Sequence, residues 1–162
     1  LLGMGAFGLR EGAARHVFPD GEGEARYASI ATLVGAYTEP NAVVLASMHA
    51  GPIRYYGGRA TLRFDVLDEG WLDRAVDWFV ARGRHPYLAI EDWEVRSFTT
   101  RFGGRSRVGD LRLAPTLAYR GYRTSGTFYL YDLLRADGPT LEPPPQRVIR
   151  PRATRPAPIP SL

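Results

Sequence analysis

The chain has 162 residues, enough for one domain with a sizeable core plus tails, and no stretch of the ~18 uninterrupted apolar residues that would cross a bilayer. It has no cysteine, which excludes disulfides and thiolate metal sites. Its net charge of +4 is concentrated in residues 138–162, with four arginines and one acid, so residues 1–137 are nearly neutral and give no argument for a nucleic-acid partner.

The chain opens on an uncharged segment, Leu1 to Leu9. At about 1.5 Å per helical residue this covers less than half a bilayer, and it reads as the last turns of a truncated transmembrane helix, with a linker to residue 20. The same residues spell G-x-G-x-x-G at Gly3, Gly5 and Gly8, but that fingerprint needs a preceding strand, and only two residues are available. Pro19-Asp20-Gly21 marks a boundary. Glu22 to Thr38 reads as an amphipathic helix, with Tyr27, Ile30, Leu33, Val34 and Tyr37 at three- and four-residue spacing.

Ala42 to Ala46 is short, apolar and β-branched, the pattern of a strand buried on both faces. A polar loop, Ser47 to Gly51, follows. Pro52 suits a first helical turn, and Gly57-Gly58 closes a short helix. Ala60 to Asp65 alternates in character and reads as a second strand. A helix is expected from Trp71 to Arg82, a third strand over Pro86 to Ile90, and a helix from Trp93 to Phe102. Asp110 to Tyr119 and Thr127 to Leu133 read as two further strands. Eight of the thirteen prolines lie from Gly138 onward, which predicts a disordered tail over residues 138–162. The fold class expected for residues 21–137 is α/β: a three-layer, Rossmann-like open sheet, mainly parallel, with an antiparallel edge hairpin.

In such sheets ligands sit beyond the carboxyl ends of the strands. Ser47, His49 and Gly51 follow the first strand, Asp65 ends the second, and Glu91 and Asp92 end the third. A histidine and three carboxylates there suit a divalent metal or acid–base work. The same residues suit structural duty, with Asp65, Asp68, Glu91 or Asp92 capping the next helix and Arg54, Arg59 and Arg63 pairing with the acids. Tyr55 and Tyr56 are rings able to stack on a sugar or to pack against the sheet. No G-x-S-x-G elbow, phosphate loop or H-E-x-x-H motif is present. The candidate binding residues are Ser47, His49, Gly51, Arg54, Tyr55, Arg59, Asp65, Glu91 and Asp92; no catalytic residue, metal ligand or cofactor is assigned.

The run Met48-His49-Ala50-Gly51-Pro52-Ile53-Arg54-Tyr55-Tyr56-Gly57-Gly58-Arg59, with Thr61-Leu62-Arg63-Phe64-Asp65 after it, carries a family resemblance. Trp71-Leu72-Asp73-Arg74, Arg84-His85-Pro86-Tyr87, Glu91-Asp92-Trp93-Glu94 and Arg101-Phe102 extend it. Together they resemble the soluble C-terminal domain of bacterial polytopic glycosyltransferases, relatives of the dolichyl-phosphate-mannose protein mannosyltransferases. The resemblance implies a non-catalytic accessory domain on the periplasmic face of the inner membrane. Its partners would be the transmembrane part of the same polypeptide and the polyprenyl-phosphate sugar or the acceptor. Catalytic residues in that family lie in membrane-side loops outside this chain, so none is carried over. The competing expectation is a free-standing soluble α/β enzyme, of metal-assisted hydrolase type, with its site at the strand ends.

Overall fold

The computed structural model describes residues 21–120 and 126–135. The expected membrane-helix end over residues 1–20 and the expected tail over 138–162 lie outside the described residues. Helix α1 spans Gly21–Tyr37, strand β1 Ala42–Ala46, helix α2 Ala50–Tyr56, and strand β2 Ala60–Arg63. A 3-10 turn, Phe64–Val66, leads to helix α3 (Leu72–Val80), strand β3 (His85–Glu91) and helix α4 (Asp92–Phe102). Strands β4 (Leu117–Arg120) and β5 (Thr127–Asp132) complete an open sheet, and a second 3-10 turn covers Leu133–Arg135.

The fold is mixed α/β, with helices flanking a five-stranded sheet in the order β2-β1-β3-β5-β4. The β1 strand runs parallel to both neighbours, with Leu45 opposite Leu62 on one side and Leu88 on the other. The β5 strand lies antiparallel to β3 and β4, which places β4 at the edge. All five residues of β1 are buried, as an unbroken apolar run in the middle of a sheet requires.

Two apolar clusters hold the helices. Ile30 and Val34 of α1 and Ile53 of α2 pack with Val44, Ala89 and Phe128. Leu72 and Val76 of α3 and Phe98 and Phe102 of α4 pack with Leu45, Leu88 and Ile90. Successive β1 residues alternate between the clusters, Val44 in the first and Leu45 in the second, as the two-residue period of a strand demands. Helices α1 and α2 touch closely: a Cβ on Gly35 would lie 2.7 Å from the Gly57 carbonyl oxygen. Glycine is what that contact permits.

The helix expected over Trp71 to Arg82 is shorter, Leu72–Val80, and two further boundaries differ for a clear reason. The second strand ends at Arg63, and Asp65 sits in the 3-10 turn, because Phe64 turns down into the second cluster. Residues 110–116 are not strand: Leu111 takes φ of 49°, a left-handed conformation that strand pairing does not tolerate. Among the described residues no helix is long and apolar enough to cross a membrane.

Candidate functional site

From β1 the chain moves outward to β2, then returns past β1 to β3 on the other side. The carboxyl ends of β1 and β3 therefore flank the point where the connections diverge, the usual crevice of an open α/β sheet. His49 follows β1, and Glu91 ends β3. Both are buried, His49 completely, and His49 Nε2 lies 2.6 Å from Glu91 Oε1. The carboxylate accepts, so the imidazole hydrogen sits on Nε2.

Glu91 collects two more donors on its other oxygen. Arg26 Nη2, from α1, lies 2.5 Å from Oε2, and the Trp93 indole Nε1 lies 2.9 Å from it. Burial by itself would raise the Glu91 pKa, but hydrogen bonds from His49 and Trp93 and the charge on Arg26 outweigh it and hold the carboxyl below the ordinary range. The Glu91 backbone N–H donates to Glu94 Oε2 at 3.0 Å, which closes the first turn of α4. The His49 ring lies between Tyr27 and Phe128, with centroids 5.2 and 5.3 Å away, and its Nδ1 has no hydrogen-bond partner among the described residues.

Asp92 braces the same corner. Its Oδ1 accepts from the Trp93 backbone N–H at 2.8 Å and its Oδ2 from that of Thr127 at 2.9 Å. The backbone of Gly126 lies across this cluster: a Cβ there would stand 3.1 Å from Asp92 Oδ1 and 3.4 Å from Glu91 Oε2. The crevice is thus filled from within by a network joining α1, the β1–α2 loop, β3 and the start of β5.

The other predicted residues separate into anchors and surface. Arg59 is an anchor: its Nη2 donates to the Gly35 and Thr38 carbonyls at 2.6 and 2.8 Å, and its Nε to Thr38 Oγ1 at 3.0 Å. It binds the carbonyl end of α1, where a cation is favoured, and pairs with no acid among the described residues. Ser47 is half-buried in the loop, and its carbonyl accepts the Ala50 N–H. Gly51 is exposed inside α2, with nothing within 4 Å of a Cβ. Arg54 is exposed, and Tyr55 and Tyr56 point outward, Tyr55 at 81% exposure, their rings 4.8 Å apart. The two tyrosines therefore do not pack against the sheet.

Asp65 takes both oxygens to the Arg63 guanidinium, which holds its carboxyl below the usual range. It does not join His49 and Glu91, and neither it nor Asp68 caps α3, whose N-cap residue is Trp71. Among the described residues no group of three or more histidines and acids is arranged to hold a metal ion.

Sequence reasoning missed Arg26 and Trp93. Arg26 falls among the polar positions of an amphipathic helix, which look solvated from sequence. Trp93 carried a usable signal, since an indole N–H beside two carboxylates seeks one of them. No protein-family model, curated protein or solved structure matches the chain.

Proposed function

We propose that this chain is a non-catalytic accessory domain of a membrane glycosyltransferase using a polyprenyl-phosphate sugar donor. It shields the membrane-embedded active site or guides the acceptor towards it from the periplasmic face. We also read the two apolar clusters on either side of the sheet as a three-layer, Rossmann-like arrangement, in which the run from Met48 to Arg59 leaves the carboxyl edge after β1 and returns to the amino edge before β2.

The observation that carries the reading is how that run divides. His49 and Ile53 are buried and Arg59 is anchored to the end of α1, whereas Arg54, Tyr55 and Tyr56 of α2, and Met48 in the loop before it, stand exposed. A fixed helix displaying an arginine and two tyrosines suits contact with a partner surface or a glycan, since such rings offer contact area at little entropic cost. The ionisable groups at the crevice are committed to one another, which suits a scaffold.

The test is sugar transfer by the full-length enzyme. Arg54→Ala and Tyr55→Ala should lower transfer while shifting domain unfolding by no more than about 0.5 kcal/mol, as exposed positions do. Turnover by the purified 162-residue chain would overturn the reading. It would favour instead a free-standing α/β enzyme built on the His49–Glu91 pair, the one observation that speaks for that alternative.

A further inference from the structure

On the opposite side of Glu91 from His49, a second feature is built on α4. Trp93, Arg96 and Thr100, at three- and four-residue steps, form a stripe along this helix, and Arg101 flanks it. The stripe lines a groove of about 610 Å3 whose far wall is the turn after β2, with Asp65 and Glu69. Its volume is in the range of small-molecule sites, about 300–1,000 Å3. Phe64 and Phe98 lie buried beneath it, and the surface it offers to a ligand mixes polar and apolar groups, the apolar part being somewhat the larger.

Three properties of this groove point the same way. Trp93 is 59% exposed, yet its indole N–H is fixed on Glu91, so a broad ring is held in place before any ligand arrives. Such preorganisation lowers the entropic cost of stacking. Arg101 is anchored at one nitrogen only, Nε to the Leu67 carbonyl at 2.8 Å, and its Nη groups have no acceptor among the described residues. Arg96 has no intramolecular partner among the described residues. The acids of the groove each have a cation from outside it: Asp65 is held by Arg63, with Arg101 also in its field, and Glu69 pairs with Arg105 at 3.3 Å. The groove therefore holds two cations in excess beside a fixed aromatic plate.

We propose that this groove binds an acidic oligosaccharide, with one pyranose stacked on Trp93 and anionic substituents on Arg96 and Arg101. Along a helix these arginines stand about 4.5 and 12 Å beyond the tryptophan, at 1.5 Å per residue, so the stripe spans more than one sugar unit. Carboxylates match guanidinium geometry, and Thr100 adds a hydroxyl for a ring oxygen or hydroxyl. The groove is open along its length, which suits a chain rather than an enclosed monosaccharide. This inference rests on the groove alone, not on the accessory-domain reading, and the purified chain can test it whatever becomes of transfer by the full-length enzyme.

The experiment is a two-dimensional NMR titration of the 162-residue chain with digalacturonate. Cellobiose serves as the neutral disaccharide, with inorganic phosphate and AMP as the other probes. Digalacturonate should shift the Trp93 indole N–H and the amides of residues 96–101 saturably, and cellobiose should bind at least about tenfold more weakly. Arg96→Gln, which breaks no internal contact, should weaken digalacturonate binding about tenfold and leave the rest of the spectrum in place. The proposal is overturned if digalacturonate leaves those signals unmoved, or if cellobiose binds equally well. It is also overturned if phosphate or AMP gives the same shifts at equal or lower concentration, because the groove would then be an anion or nucleotide site.

Discussion

His49 and Glu91, 42 residues apart in the chain, meet through a 2.6 Å hydrogen bond in the interior, at the end of two neighbouring parallel strands. The pair fills the crevice where an enzyme of this topology would keep its substrate. Glu91 in turn fixes Arg26 on one side and Trp93 on the other, so one carboxylate sets the position of three elements.

Breaking the pair should therefore be costly. His49→Ala removes a donor and leaves Glu91 buried with less compensation, a loss of about 1.5–3 kcal/mol, the range for a hydrogen bond to a charged group. His49→Gln, which can still present an N–H to the carboxylate, should lose less. Urea denaturation of both variants decides the matter: a His49→Ala change below about 0.5 kcal/mol would mean the bond is not structural.

Acid should release the same energy. The Glu91 carboxyl titrates lower in the folded state than the ordinary value of 4.5, so below that pH the unfolded chain binds more protons. The stabilisation is fully present above about pH 4.5 and is lost as pH falls through the lowered folded value. Glu39 and Asp65, also lowered, add to the same acid limb. The stability gap between wild type and Glu91→Gln should accordingly narrow as pH drops below 4.5, measured by chemical denaturation at each pH.

Two glycines should respond in opposite directions. Gly51 lies within α2 with open space around it, so Gly51→Ala should stabilise the fold by about 0.5–1 kcal/mol through helix propensity. Gly35→Ala would drive a methyl group to 2.7 Å from the Gly57 carbonyl and should destabilise by about 1–3 kcal/mol. Thermal unfolding of the two variants gives the sign of each change.

Arg59→Lys should cost about 1.5–3 kcal/mol. A single ammonium cannot span the carbonyls of Gly35, Thr38 and Gly57 together with Thr38 Oγ1, and any left buried lose their partner. An unchanged denaturation midpoint would show that water replaces the guanidinium without loss.

What the sequence disclosed follows from how each feature is encoded. The β1 strand was legible because five apolar residues in a row have few other uses, and the parallel order of the first three strands followed from the long connections between them. The helix ends at Gly57-Gly58, Gly83 and Gly103-Gly104 were legible too, and Gly58, Gly83 and Gly104 all adopt positive φ. The burial of His49 was not. A histidine in a loop of small and polar residues looks solvent-facing until Tyr27, Glu91 and Phe128 are brought to it from distant parts of the chain. Tyr55 and Tyr56 erred the other way, because adjacent rings on a short helix suggest burial, and only the position of Ile53 decides which side of α2 faces the core.

The strand order has a consequence for synthesis. One side of β3 is paired with β1 early, but its other side waits for β5, which the ribosome makes about 40 residues later and which must enter between β3 and β4. Phe128, the cover of His49, and the Thr127 amide, the partner of Asp92, arrive with it. Until then the nascent chain carries a bare apolar strand edge beside an uncovered Glu91, so β5 acts as the keystone that turns a sticky intermediate into a finished sheet.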